Sequence, residues 1–213
     1  MCESTPWPSD PDPADRAQRY KHDRAFPALS GKLPIRITAT LVAAFDGPCP
    51  YLGPDMMCGN YEARPRVCRI YPAEIAPDLN IDPERKNCPD EAWSDDSPPF
   101  VRNGLLLDTE TIGVIEAHRN ATRSDVDVKE RICFELDLVH AALANEGYVV
   151  HAPAPRHLVE ALTRARGMPV RAGHAAEWKI VTNRASTLDM LRDAGSGCAL
   201  AEDDVGYIAF FPA

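Results

Sequence analysis

Four of the chain's seven cysteines, Cys49, Cys58, Cys68 and Cys88, fall within forty residues. A thiolate is both a nucleophile and a soft metal ligand, so a cluster of cysteines points either to redox chemistry or to zinc or iron. The intervals between them are eight, nine and nineteen residues. None is the two-residue knuckle of a compact zinc finger. The local chemistry says more than the spacing. Each cysteine lies in a proline-broken stretch or beside a proline, where backbone amides are free to face sulfur. Cys-Pro occurs at 49–50 and again at 88–89, and a proline after a cluster ligand occurs in ferredoxin cysteine runs. Arg64, Arg66 and Arg69 surround Cys68. Their guanidinium groups would lower thiol pKa values and offset the negative charge of four thiolates on one divalent metal. The plain alternative is four unrelated buried cysteines.

The rest of the composition favours the metal reading. The chain has 213 residues, 45% of them hydrophobic, which is enough for a sizeable core without staples. Its net charge is −9, and no dense basic stripe interrupts the acidic balance. A nucleic-acid partner and an anionic membrane surface are therefore excluded. The longest apolar run, Leu41 to Phe45, is far shorter than the roughly 20 residues a membrane helix needs. The first residues, Met-Cys-Glu-Ser-Thr-Pro-Trp-Pro, lack the basic and apolar regions of a signal peptide. The expected location is the cytoplasm, where thiols stay reduced and clustered cysteines bind metals more often than they form disulfides.

The cysteine stretch carries a resemblance. Cys49-Pro-Tyr-Leu, then Cys58-x-x-Tyr61-Glu62-x-Arg64-Pro65-x-Val-Cys68-Arg69-x-Tyr71-Pro72, then Cys88-Pro resembles the CxxCxxCC family of zinc- or iron-chelating proteins, whose relatives include the flagellin lysine N-methylases. The resemblance covers about residues 44–92. It implies that Cys49, Cys58, Cys68 and Cys88 bind a metal centre, with Arg64, Arg66 and Arg69 beside it. The centre it implies is an iron–sulfur cluster or zinc. The long, proline-rich ligand loops and the repeated Cys-Pro tilt the reading toward a [4Fe–4S] cluster. Likeness to the methylases adds S-adenosylmethionine-dependent group transfer as a candidate activity. A non-catalytic module for protein binding or redox sensing is the competing reading. The partner is left as an unidentified protein or a small-molecule substrate. The Cys-x-x-Cys-x-x-Cys-Cys block that names the family does not occur. Upstream of Cys49 stands only Cys2, either a fifth ligand or, as the preferred reading, a disordered terminal thiol.

Several elements must position these residues. Residues 1–25 read as a mobile proline-rich arm, with a short charged helix at 14–26. Ile35, Ile37, Ala39, Leu41 and Ala43 alternate with Arg36, Thr38, Thr40 and Val42, the period of a strand or hairpin, which Asp46-Gly47-Pro48 stops. Arg64 to Arg69 reads as one helical turn with Pro65 at its first position, and 76–99 as loop. Asp108 caps a helix over Thr109–Asn120 with Ile112, Ile115 and Leu107 inward. Ile132, Leu136, Val139 and Leu143 predict a second helix over 126–145 with Gly147 as its C-cap. A short strand at 148–150, helices at 155–166 and from 186 to before Gly195, and a closing strand at 205–211 complete the chain.

The fold class is α+β: an irregular, metal-centred cysteine module with a short strand or hairpin, followed by a mostly helical part at 101–213, all in one domain spanning 26–213. Cys133 reads as a small core residue and Cys198, after Gly195-Ser196-Gly197, as a residue of a flexible turn. The six histidines have no i, i+4 pair, although His118 and His140 lie on different predicted helices that could meet. Glu202-Asp203-Asp204 reads as a solvated turn. No phosphate loop, serine elbow, dinucleotide fingerprint or radical-SAM cysteine triplet is present.

Overall fold

A computed structural model describes residues 1–6, 11–78, 81–94, 98–167, 177–202 and 206–212. The chain forms two compact units, Met1–Val42 with Ser124–Ala213, and Ala43–Arg123. In chain order the elements are β1 (Cys2–Pro6), α1 (Arg16–Asp23), β2 (Phe26–Ser30), β3 (Leu33–Ala39), α2 (Arg66–Ile70), β4 (Val101–Arg102), β5 (Leu105–Leu106), α3 (Thr109–Ser124), α4 (Val126–Glu135), β6 (His140–Leu143), β7 (Gly147–Val149), α5 (Pro155–Gly167), β8 (Lys179–Thr182), α6 (Ala185–Asp193), β9 (Cys198–Leu200) and β10 (Tyr207–Ala209). Two short 3₁₀ turns, Pro83–Arg85 and Asp90–Trp93, lie between α2 and β4.

The first unit is built on an eight-stranded mixed sheet among the described residues. Its organising strand is β1, where the proline content suggests a mobile arm. This is a correction to the reading of residues 1–25. β1 pairs antiparallel with β3 along its whole length, parallel with β6, and at Cys2 with Val149 of β7. Its prolines do not prevent this, because Pro6 closes the strand and lies at the end of the register. α1 follows as expected. Asp15 caps it by accepting a hydrogen bond from the Gln18 amide at 2.8 Å. The Gln18 side chain accepts in turn from the Asp12 amide at 2.6 Å. Replacing Asp15 by alanine is expected to cost about 1 kcal/mol, read as a lower denaturant midpoint with unchanged slope.

The alternation at 35–39 is real. Ile35 and Ile37 are buried and β3 pairs antiparallel with β2. The hairpin turn needs Gly31, whose φ is +56° and where a Cβ would stand 2.3 Å from the Gly195 carbonyl oxygen. The Ser30 hydroxyl bonds the Gly197 carbonyl and the Ser196 hydroxyl, both at 2.8 Å. Gly195 to Gly197 is thus a docking turn, and Cys198 beyond it opens β9 rather than lying in a flexible turn. Its thiol points at the Leu188 carbonyl, 3.8 Å away.

The class is α+β, but the second half carries more strand than its helical periodicity implies. The helix predicted over 126–145 ends at Glu135, and Gly147 begins β7 instead of capping a helix. Asp137 takes the left-handed conformation, φ +52°, which an Asp tolerates, and His140–Leu143 joins β8 and β1 as a parallel strand. β8 is parallel to β6 and β9, and Ile180 and Val181 are both fully buried, as in a strand covered on two faces. α5 packs against α4. α6 links β8 to β9, and β10 closes on β7.

In the second unit a small core forms from Ile70, Ala73, Val114 and Ile115, with Ile75, Ile81, Phe100 and Leu106 packed around it. Asp108 caps α3, accepting from the Thr111 amide at 2.7 Å, and bonds with Thr111 hold its carboxyl below the usual range. The inward face of α3 is Thr111, Val114 and Ile115. Ile112 is half-buried and Leu107 exposed, because the buried stripe runs one residue earlier than predicted.

Candidate metal centre

Cys49, Cys58, Cys68 and Cys88 all belong to the second unit, and none is in a disulfide. Cys49 opens a turn in which its carbonyl accepts from the Leu52 amide at 2.9 Å. Leu52 then bridges antiparallel to Cys58, and the Gly59 amide closes on the Tyr51 carbonyl at 2.7 Å. Asp55 steadies the tip by accepting from the Met57 amide at 3.0 Å. These bonds return Cys58 to the segment that begins at Cys49.

Cys68 sits in α2. Pro65 occupies the position before the helix, one earlier than predicted, and its carbonyl accepts from the Cys68 and Arg69 amides at 3.0 and 3.3 Å. Two residues on, Ile70 is 1% exposed and anchors α2 in the unit's core. The Cys88 segment is tied to the residues just after α2. The Asn87 amide donates to the Tyr71 hydroxyl at 2.6 Å. Lys86 pairs with Glu74, and its ammonium lies 5.6 Å from the Tyr71 ring centre.

Two of the three arginines are engaged locally. The Arg64 guanidinium stacks 3.6 Å from the Tyr61 ring centre and donates to the Tyr61 carbonyl at 3.2 Å. Arg69 pairs with Glu110 of α3 at 3.1 Å, while Arg66 is exposed at the start of α2.

From Leu41 through Arg69 no residue is buried. Phe45, Tyr51, Met56, Met57 and Tyr61 are each at least half exposed. Apolar packing therefore does not hold these turns in place. Cys49 and Cys68 are exposed and Cys58 and Cys88 half-buried. Among the described residues, no three His, Cys, Asp or Glu side chains are gathered so as to hold a metal ion. In kind and number the four free thiols fit a thiophilic centre, and the coreless segment that carries three of them leaves room for one.

The other sequence candidates lie elsewhere. Cys2 is not a disordered terminal thiol. It is buried at 2% exposure in the first unit's core beside Cys133, where β1 carries it. Cys133 is buried as expected. His22 lies 3.4 Å from Asp23 and His157 is exposed. His140 lies on β6 rather than on a helix, and its carbonyl meets the His151 ring at 2.9 Å. His174, Asp203 and Asp204 lie outside the described residues. Reading the sequence missed the meeting of Cys2, Cys133 and His151, because no spacing rule links residues so distant in the chain.

The second unit thus carries four free thiols and a small core, a donor set suited to a soft metal. Consistently, residues 12–90 match the model of the CxxCxxCC family, described as "Putative zinc- or iron-chelating domain". The match is to a segment of the chain. It begins before α1, upstream of the stretch in which the sequence motifs are dense, and most of the sheet lies outside it. No curated protein and no solved structure gives a significant match. Among the described residues no helix is long and apolar enough to cross a membrane.

Proposed function

We propose that Cys49, Cys58, Cys68 and Cys88 together hold an iron–sulfur cluster of the [4Fe–4S] type. The observation that carries this reading is the segment from Leu41 through Arg69, which has defined turns and three thiols but no buried side chain. A metal centre supplies the ordering energy that apolar burial does not, and for thiolate sites metal binding and local folding are one event. The family match supports a zinc- or iron-chelating role for this part of the chain. A cluster held by all four thiols would tie the Cys49–Cys58 turn and the Cys88 segment to Cys68, which lies two residues before the buried Ile70. Arg66, exposed and two residues from Cys68 in the chain, would supply positive charge to the thiolates, as would Arg64 and Arg69. The reducing interior of a cell, where thiols stay free, is the setting this requires.

Anaerobically purified protein is expected to be brown, with visible charge-transfer absorption and about four irons per chain. A colourless preparation with about one tightly held zinc would replace the cluster by a closed structural tetrathiolate site. Metal-free protein that takes up neither would refute the reading. The group-transfer activity rests on likeness to the flagellin methylases. It requires S-adenosylmethionine to bind the loaded protein, and calorimetric titration giving no heat at large excess would leave the non-catalytic binding or redox-sensing module.

A further inference from the structure

We propose that Cys2, Cys133 and His151, which meet at one pocket of the first unit, form a hydrogen-peroxide-reactive dithiol site with Cys2 as the attacking sulfur and Cys133 as the resolving one. The pocket is a cavity of about 80 Å³ lined by Cys2, Cys133, His151, Lys129, Leu136 and Leu158, among others. A water occupies roughly 10–15 Å³ on the same scale. The space therefore takes a molecule of peroxide's size. β1 carries Cys2 and α4 carries Cys133, and the two sit together in the unit's main core cluster. His151 lines the same pocket as both thiols. The His151 Nε2 lies 2.9 Å from the His140 carbonyl oxygen. A carbonyl only accepts, so Nε2 carries a proton and Nδ1 is left for the sulfur.

The electrostatics agree with these roles. The hydrogen bond from Cys133 lowers the Cys2 pKa against the opposing effect of burial. His151 and the Met1 amino group lower it further, and the result is about 5. Burial pulls His151 down, but its bonds to Cys2 and to the His140 carbonyl outweigh this and leave it raised. Cys133 is raised well above the ordinary thiol value by its bond to Cys2 and by burial, with Glu130 adding to the effect. Lys129, on the pocket wall, is lowered by burial. Cys2 is thus the thiol set to ionise first, His151 is biased toward its protonated form, and Cys133 is biased toward staying a thiol while its neighbour is charged.

The Cys2 thiolate attacks one oxygen of hydrogen peroxide. A sulfur–oxygen bond forms, the O–O bond breaks, and Cys2 becomes a sulfenic acid. The departing hydroxide takes the His151 proton and leaves as water. Cys133 then gives its proton to neutral His151 and attacks the Cys2 sulfur. The S–S bond forms, the S–O bond breaks, and the second hydroxide leaves with that proton as water. Two thiols and one peroxide yield one disulfide and two waters.

A low pKa also weakens intrinsic nucleophilicity, so pH dependence is the decisive readout rather than absolute rate. The reduced full-length protein is treated with hydrogen peroxide, quenched with an alkylating agent and mapped by mass spectrometry. A peptide cross-linked between Cys2 and Cys133 is expected before Cys198 is modified. The Cys2 rate should stay flat between about pH 6 and 8, where that of an ordinary thiol rises roughly tenfold per pH unit. In Cys133→Ser, the Cys2 sulfenic acid should persist and be captured by dimedone. In His151→Gln, which leaves the larger effect of Cys133 in place, the pH at which the rate begins to fall should move upward. A wild-type Cys2 rate that climbs like that of free cysteine, or Cys198 oxidised while no Cys2–Cys133 link forms, overturns the proposal whatever the variants do. Separate peptides report Cys49 to Cys88, so the outcome is independent of the metal reading.

Discussion

Replacing Cys68 by serine is expected to remove the metal altogether and to leave the sheet of the first unit intact. Of the four thiols, Cys68 is the one joined to a structured element with a buried anchor. It lies in α2, two residues before Ile70, and Ile70 packs in the second unit's core. The other three thiols stand on turns or beside 3₁₀ segments that have no comparable anchor. A metal held by all four therefore links the coreless turns to the core through Cys68. Apparent binding energies of structural zinc in zinc-finger peptides are on the order of 10–16 kcal/mol. Serine is a poor ligand for a soft centre, so a site missing its anchoring thiol loses most of that. The expected result is metal content falling at least tenfold, with new protease cleavage confined to residues 43–69. Circular dichroism of the sheet unit should be preserved, and Cys198→Ser, in the other unit, should keep its full metal. Stoichiometric metal in the Cys68→Ser protein would strike out the four-cysteine assignment.

What could be read from the chain depended on how local the cause was. α1, α5, α6 and the cap of α3 are set by residues within a turn or two of each other, and their signals were plain. The second predicted helix stops at Glu135 for the opposite reason. Ile132, Leu136, Val139 and Leu143 keep a helical period, but Ala141 and Ala142, both fully buried, are drawn into the sheet by β1 and β8. Alanine has little strand preference of its own, so nothing short of the long-range pairing marks His140–Leu143 as a strand. β1 was hidden in the same way. Its partners β3, β6 and β7 lie far along the chain, and its flanking prolines read as an arm. The candidate metal centre was legible in residue type, since thiols, arginines and prolines announce themselves. The position of each thiol on turn, helix or loop was not, and neither was the burial of Cys2 beside Cys133.

Glu146→Ala is the substitution expected to damage the first unit most. The side chain is 7% exposed and each carboxylate oxygen accepts one buried hydroxyl: Oε2 from Thr182 of β8 and Oε1 from Thr187 of α6, both at 2.6 Å. Thr187 is the third residue of α6, a helix whose own N-cap residue, Arg184, offers no side-chain bond. The carboxylate is thus held near a helix N-terminus, where the backbone dipole favours negative charge. Backbone bonds fix it there: its amide donates to Leu143 at 2.9 Å and its carbonyl accepts from the Phe210 amide at 2.8 Å. One residue therefore joins the β6–β7 turn to β8, α6 and the chain following β10. Alanine removes two hydrogen bonds to a charged group, each worth about 1.5–3 kcal/mol, and leaves two buried hydroxyls without their acceptor. The expected loss is about 3–5 kcal/mol, which is a large part of the stability of a typical domain. Glutamine keeps one acceptor and offers its amide to the other hydroxyl, which can rotate to accept, so Glu146→Gln should lose about half as much. Urea unfolding followed by far-ultraviolet circular dichroism and by the fluorescence of Trp178, which is 2% exposed in the same unit, measures both. A loss below about 1 kcal/mol for alanine would mean that water enters and satisfies the two threonines, and the carboxylate would then not be the tie between these strands and the helix.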